Sequence, residues 1–340
     1  MSSTLAGGDQ ALRTHPDPGP VLAADLGGTK IAAALVDPAG RVLARRTVPT
    51  GASRGPDAVV SSLVDALVAV REVTIAGSRG APAPAAPVAV GIGSAGVVDS
   101  PTGRIVSATD AIPGWAGTDL GARVSEALAL PTRVLNDVHA HALGEAIFGA
   151  GAKSSGAGAG SLGIGWRPPS LLLVAVGTGI GGGLVQGGTV LTGTRGVAGH
   201  VGHVSVPEAD GVPCTCGRTG HVEGLASGPG TLAAYRRAGG QAGDTRAVVA
   251  RAEGGEELAA GVLRTCALAI GRMIGGLLNV LDPEVVVLTG GMAGAGRSWW
   301  QGVHDGVAHE AIDLVAGTEV LPATAGPDAA LLGAAHVARS

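Results

Sequence analysis

Two segments of this 340-residue chain share one unusual design. A short apolar run ends in small turn residues, and a second apolar run begins at once. In the first, Val21 to Leu26 leads through Gly27-Gly28-Thr29-Lys30 into Ile31 to Asp37. In the second, Leu171 to Val176 leads through Gly177-Thr178-Gly179-Ile180-Gly181-Gly182-Gly183 into Leu184-Val185. Short apolar runs bounded by glycine clusters read as strands joined by tight turns, so each segment is a hairpin. After the first hairpin come a third strand over 41–50 and a helix that puts Val59, Leu63, Leu67 and Val70 on one face. A Pro/Ala linker over 76–87, a buried strand over 87–98, a helix over 119–130, a strand over 132–137 and a helix over 137–148 complete the first half. The second half opens at its own hairpin. It continues with a loop over 203–224, a mostly helical stretch over 229–280, a buried strand at Glu284 to Leu288, a helix over 297–316 and a last helix over 328–339. Strands and helices alternate in two halves, each opening on a strand and a glycine turn. That pattern predicts an α/β protein of two lobes.

Composition excludes several classes. Apolar residues make up 46%, charged residues 15% and aromatics 2%, so the core is built from Ala, Val, Leu and Ile and the chain is not disordered. A net charge of −4 offers no basic surface to nucleic acid or anionic lipid. Three cysteines do not make a disulfide framework and suit a reducing cytoplasm. Residues 1–18 lack the basic start and apolar stretch of a signal peptide and read as a disordered tail. Pro168 to Thr194 is charge-free and long enough to span a bilayer, but its glycine clusters divide it into two strands. Residues 153–169 are rich in Gly and Ser and read as a flexible, dispensable insert.

Three glycine turns invite a nucleotide, two through its phosphates and one through its base. In Asp25-Leu26-Gly27-Gly28-Thr29-Lys30, glycine lets backbone N–H groups approach phosphate oxygens, Thr29 adds a hydroxyl donor, and Asp25 is placed to hold magnesium through water. An ordinary hairpin turn is the other reading of these residues. Gly177 to Gly183 matches G-x-G-x-x-G, but a dinucleotide fingerprint needs a helix next, and here a strand follows. A second phosphate hairpin, with Thr178 and Gly179 at its tip, is the better reading. The turn Leu288-Thr289-Gly290-Gly291 could let a flat adenine ring lie against backbone. No G-x-x-x-x-G-K-[ST] sequence occurs. Asn136-Asp137 stands where a strand meets a helix, a usual place for an N-cap. Among loop residues, His203, Cys214, Cys216 and His221 supply two thiolates and two imidazoles, enough for a closed tetrahedral zinc site.

These turns, in this order, resemble the actin-like ATPase superfamily of sugar kinases (ribonuclease H-like fold), and within it the ROK family. The resemblance runs from Val21 to the C-terminus. It implies a small lobe of residues 19–135 plus the C-terminal helix over 326–340, and a large lobe over 136–325. It implies ATP and magnesium at Asp25, Gly27, Gly28, Thr29, Lys30, Thr178, Gly179, Gly290 and Gly291. It implies that Asp137 is the general base, and that Gly96, Asn136, His203 and Glu223 join Asp137 in binding the sugar. Phosphorylating a hydroxyl does need a carboxylate within reach of that O–H. The ROK signature carries C-x-C-G-x-x-G-C. This chain has His221 where the third Cys would be, and histidine also ligates zinc. His139 and His141 follow Asp137 at i+2 and i+4; the first points elsewhere on the helix, and the second suits surface or packing.

One substitution bears on the substrate. The family's G-E-x-G-H reads Gly199-His200-Val201-Gly202-His203 here. The same G-H-x-G-H pattern is associated with bacterial N-acetylmannosamine kinases of the family. An imidazole offers one donor and one acceptor, which suits a position where an acetamido group replaces a hydroxyl. The resemblance therefore implies a cytoplasmic ATP-dependent kinase of the 6-hydroxyl of an N-acetylhexosamine, N-acetylmannosamine first and glucose second. It also implies a homodimer or dimer of dimers, with sugar and ATP as partners and neither nucleic acid nor membrane. Some ROK members are sugar-responsive repressors. About twenty residues with Arg13 as their one basic side chain are too few for a DNA-binding domain ahead of the first hairpin. A catalytically dead sugar sensor is the third reading, and the joint presence of Asp25, Thr29, Thr178 and Asp137 argues against it.

Overall fold

The computed structural model describes residues 19–76, 85–154, 156 and 167–339. The expected tail over 1–18, most of the Pro/Ala linker and residues 155 and 157–166 of the insert lie outside them. The first half runs β1 (Val21–Leu26), β2 (Lys30–Val36), β3 (Val42–Pro49), α1 (Pro56–Ala76), β4 (Val90–Ser94), β5 (Val97–Asp99), β6 (Arg104–Ser107), α2 (Leu120–Leu128), β7 (Thr132–Asn136), α3 (Asp137–Phe148) and α4 (Ala150–Ser154). The second runs β8 (Leu171–Val176), β9 (Ile180–Gln186), β10 (Thr189–Val190), α5 (Val222–Ala226), α6 (Gly228–Arg237), α7 (Thr245–Glu253), α8 (Glu257–Leu281), β11 (Val285–Thr289), α9 (Arg297–Glu310), β12 (Glu319–Pro322) and α10 (Ala329–Val337).

Each half builds the same sheet. The orders are β3-β2-β1-β4-β7 and β10-β9-β8-β11-β12. In each, three strands pair antiparallel through short turns, and two more add in parallel. Parallel pairing needs a crossover, and helical segments supply it. The stretch Pro168 to Thr194 contributes β8, β9 and β10, as strands. Sequence periodicity missed β12, the short β5–β6 hairpin, α4 and α5, because each spans five residues or fewer. The helix expected over 297–316 stops at Glu310. Among the described residues, α8 is the one helix long and apolar enough to cross a membrane, and more than half of that stretch is buried. It packs against α5, α6, α7 and α9.

Strand alternation sorts the core into three parts. Leu22, Ala24 and Leu26 of β1 face α1, meeting Val59, Leu63, Leu67 and Val70 as the helical spacing predicts. Leu172, Val174 and Val176 of β8 face α8 and α9. The opposite faces, with Val21 and Ala23 on one sheet and Leu171 and Leu173 on the other, share a single cluster with α3 and α10. Helix α3, expected in the large lobe, thus touches strands of both sheets. The two helices come within backbone contact. A Cβ on Gly333 would lie 1.8 Å from Ala140 O, and one on Gly144 would lie 2.0 Å from Ala329 O. Only glycine fits at those two points, so the glycine content of these helices is a packing requirement.

Where the chain leaves α3, Glu145 is fully buried. Its carboxyl oxygens accept backbone N–H groups from Ala150 (2.9 Å), Thr324 (3.0 Å) and Ala325 (2.8 Å). The first belongs to α4 and the others to the segment between β12 and α10. One side chain therefore joins the two stretches that link the sheets through the central helices. Glu145→Ala would strand three amides, each costing about 1–3 kcal/mol when buried and unpaired. A drop in Tm of roughly 5–10 °C is expected by calorimetry at this chain length. A Tm within about 2 °C of the wild type, measurable on the same instrument, would show that water satisfies these amides.

Candidate active site

The junction of β7 and α3 sets the first half of the site. Asn136 is the N-cap of α3: its Oδ1 accepts from the amides of Val138 (2.9 Å) and His139 (3.3 Å). Its Nδ2 donates to Gly96 O at 3.0 Å, which fixes the turn after β4. Capping is thus Asn136's main task, and the Asp137 carboxyl, at the first helical position, accepts the Val138 N–H on Oδ1 at 2.9 Å. Burial, and next the charge of Asp25, push the Asp137 carboxyl up to about 6. Asp25 pairs with Gly93 in the β1–β4 ladder, and a Cβ on Gly93 would stand 3.5 Å from Asp137 Cα, so the two acids are neighbours. Burial also raises Asp25, against the lowering effect of Lys30 and Arg45. The turn after Asp25 is closed by Gly27 N–H to Lys30 O (3.1 Å) and braced by the hydroxyl of buried Thr50 on Gly27 O (2.6 Å).

The second half comes from the β8–β9 hairpin and the loop that follows. Antiparallel pairing from Leu171↔Val185 to Val176↔Ile180 confirms a hairpin and excludes the strand-to-helix turn of a dinucleotide fold. Gly177 N–H to Gly179 O (2.9 Å) closes its tip, where Thr178 and Gly179 are exposed. The later glycines of this run serve packing. Gly199 has φ +88°, and a Cβ there would meet Gly182 O at 2.2 Å, so the loop bearing His200 lies directly on β9. His139 turns away from the cleft, as expected, and its Nε2–H donates to Ala198 O at 2.8 Å, tying α3 to that loop. His141 is half-buried, 3.9 Å from Glu145, and burial lowers its pKa.

His203, Cys214, Cys216 and His221 converge, their donor atoms all within 4.8 Å of one another. Cys214 Sγ is 3.6 Å from His203 Nδ1, and Cys216 Sγ is 3.2 Å from His221 Nδ1. A tetrahedral zinc ion with ordinary Zn–S and Zn–N bonds has ligand–ligand edges of about 3.3–3.8 Å. Two of the edges lie near that range and every other pair stays within 4.8 Å, so small side-chain shifts would close the donor set on such an ion, and no disulfide competes, all three cysteines being free thiols. A tight turn, Cys214 N–H to Arg218 O (2.7 Å) and Gly217 N–H to Cys214 O (3.0 Å), brings the two sulfurs together. Beyond it Glu223, in α5, faces back to the hairpin. Its Oε2 accepts from Ile180 N (2.9 Å) and its Oε1 from Thr215 Oγ1 (2.7 Å).

A cleft of about 660 Å³ opens between the halves. Of the expected residues, Gly96, Asn136, Gly179, His200, His203, Cys216, Glu223 and Gly290 line it. Asp137 lies between two lining residues, Asn136 and Val138. Asp25, Gly27, Gly28, Thr29, Lys30, Thr178 and Gly291 are not part of the lining. Asp25 still acts on the cleft electrostatically through Asp137. Ser107, Thr109 and Thr215 also line the cleft and were not legible beforehand. Ser107 ends β6 and Thr109 follows it, in a hairpin whose strands are too short for a periodic signal, and Thr215 was hidden inside the C-x-C spacing.

The ROK family matches residues 21–340. An N-acetylmannosamine kinase of Escherichia coli O139:H28 is 33% identical over 321 residues, 94% of this chain and 98% of that one. A glucokinase of Halalkalibacterium halodurans is 29% identical over 324 residues, covering 91% and 92%. Among solved structures, a ROK hexokinase from Thermus thermophilus is 31% identical and superposes with a TM-score of 0.78 over 94% of this chain and 97% of that one. A ROK family glucokinase from Streptomyces griseus, in complex with glucose and AMPPNP, is 27% identical with a TM-score of 0.70 over 94% and 99%. Paired sheets of the same strand order, a cleft between them and this match over nearly the whole chain lead to one statement: the chain belongs to the ROK family, with its two-lobed actin-like fold.

Proposed function

We propose that this chain is an ATP-dependent kinase of the 6-hydroxyl of N-acetylmannosamine. The observation that carries the reading is Asp137. It is a carboxyl group raised to about 6, set between two residues of the cleft wall. Asp137 takes the proton of the sugar hydroxyl as that oxygen bonds to the γ-phosphorus of ATP; the bond to the β–γ bridging oxygen breaks, and ADP leaves. Asn136 and Glu223 orient the sugar, and the turn N–H groups not used to close the hairpins, at Gly28-Thr29 and Thr178-Gly179, receive phosphate oxygens. Asp25 would hold magnesium through water, and that ion supplies charge neutralisation at the phosphates. His203, Cys214, Cys216 and His221 would hold a structural zinc that supplies rigidity to the loop under the sugar. His200 on the cleft wall and the Escherichia coli relative favour the acetamido sugar. The Halalkalibacterium relative and the glucose-bound Streptomyces neighbour favour glucose as the second reading. The same reading makes the enzyme cytoplasmic and a homodimer or dimer of dimers. ADP release from purified protein with a panel of sugars tests it; turnover of no hexose or hexosamine refutes it.

Asp137→Asn keeps the shape and removes the proton acceptor. Turnover is expected to fall at least ~10²-fold with sugar binding largely kept. In the wild type the base must be ionised, so kcat should be lost as pH falls through about 6 and be flat above. A flat profile from pH 5 to 8 would remove Asp137 as the base.

One zinc per chain should co-purify. Cys214→Ser or Cys216→Ser should release it and loosen the 200–223 loop, because the ligands are held together by the metal. Elemental analysis that finds none in chelator-free protein would leave the donor set as a hydrogen-bonded cluster.

His200→Glu restores the family's usual acid. One hydrogen bond in a closed pocket is worth about 1–3 kcal/mol, so the kcat/KM ratio of N-acetylmannosamine to glucose should move toward glucose by roughly 10- to 100-fold. A wild type that prefers glucose, with a ratio unmoved in the mutant, would establish the second reading.

A further inference from the structure

Glu223 is held at both carboxylate oxygens by elements that are far apart in sequence. Thr215 Oγ1 reaches Oε1 at 2.7 Å, and the Ile180 amide reaches Oε2 at 2.9 Å. Thr215 stands between Cys214 and Cys216, on the loop that the His/Cys cluster closes. Ile180 opens β9, beside the hairpin tip. All three residues line the cleft. A carboxylate accepts at about four lone-pair positions, so two remain for hydroxyls of a bound molecule. A glutamate in a partly open cleft otherwise samples several rotamers, and a hydroxyl donating to its charged oxygen selects one. Because the other oxygen carries the Ile180 amide, any reorientation of Glu223 also moves the hairpin.

We propose that Thr215 is a positioning residue for sugar phosphorylation. Its hydroxyl orients Glu223, and through Glu223 the Ile180 amide at the base of the phosphate hairpin, so that sugar and transferred phosphoryl group are held by one connected unit. This rests on the sugar-kinase reading above. It assigns to Thr215 a role separate from metal binding: the sulfurs of Cys214 and Cys216 join the His/Cys cluster, with Cys214 Sγ also 3.9 Å from Glu223 Oε1, while the hydroxyl between them holds Glu223 at 2.7 Å.

Thr215→Val removes the hydroxyl, keeps the branched shape and leaves both cysteines in place. Steady-state kinetics, metal content and hydrogen exchange of the 177–186 segment are measured together. KM for the sugar should rise about tenfold, the scale of one hydrogen bond to a charged group. The fall in kcat should be smaller, hairpin amides should exchange faster, and metal content should equal that of the wild type. Thr215→Ser should recover most of each loss. If Val disturbs the loop, seen as lost metal, Thr215→Ala carries the same comparison. Unchanged KM overturns the proposal, and so does unchanged exchange in the hairpin. If the wild type phosphorylates no sugar at all, the kinase reading fails, and the exchange data still decide whether Thr215 holds the hairpin.

Discussion

Backbone contact between α3 and α10 is the constraint on which the rest of this structure depends. Two sheets, each apolar on the inner face, share one layer of helices, and that layer is thin because Gly144 and Gly333 let the helix backbones touch. Any side chain there would push the helices apart. The sheets would then separate, and the cleft walls they carry would separate with them. Dense packing transmits such strain rather than absorbing it. Because α3 begins at Asp137, the same contact sets the position of the candidate base relative to both sheets.

The site is assembled by short polar links between elements that the sheets bring near one another. Asn136 joins the start of α3 to the turn after β4, His139 joins α3 to the His200 loop, and Glu223 joins α5 to the hairpin and to the Cys-Thr-Cys turn. Glu145 does the equivalent work at the other end of α3, where it binds two chain segments remote from one another in sequence (its partners are Ala150 at one end and Thr324 and Ala325 at the other). Each link uses a side chain whose alternative partner is water. Each therefore adds modest stability and much definition of geometry. Burial raises the pKa of Asp137 and lowers that of His139, one effect acting on charges of opposite sign.

Much of this was legible in the order of residues. Both hairpins, the face of α1 and the convergence of His203, Cys214, Cys216 and His221 follow from local rules: strand alternation, helical spacing, and the small number of tasks open to C-x-C in a glycine-rich loop. Less legible was the division of labour within the glycine run 177–183. Its first part forms the turn, while Gly182 underlies the His200 loop, and a sequence motif cannot distinguish a glycine kept for phosphate from one kept for a neighbouring backbone. Thr215 and His139 were equally silent, since their partners Glu223 and Ala198 lie on other elements.

The longer strands and helices and their apolar faces were determined by the sequence alone, because each depends on residues a few positions apart and on the period at which side chains repeat. The pairing of two like sheets around one shared helical layer was decided only in the tertiary structure, and so were the burial of Asp137 and its adjacency to Asp25, which together raise its carboxyl. Burial and through-space charge depend on what the rest of the chain places around a group, and a residue's neighbours in sequence carry no record of that.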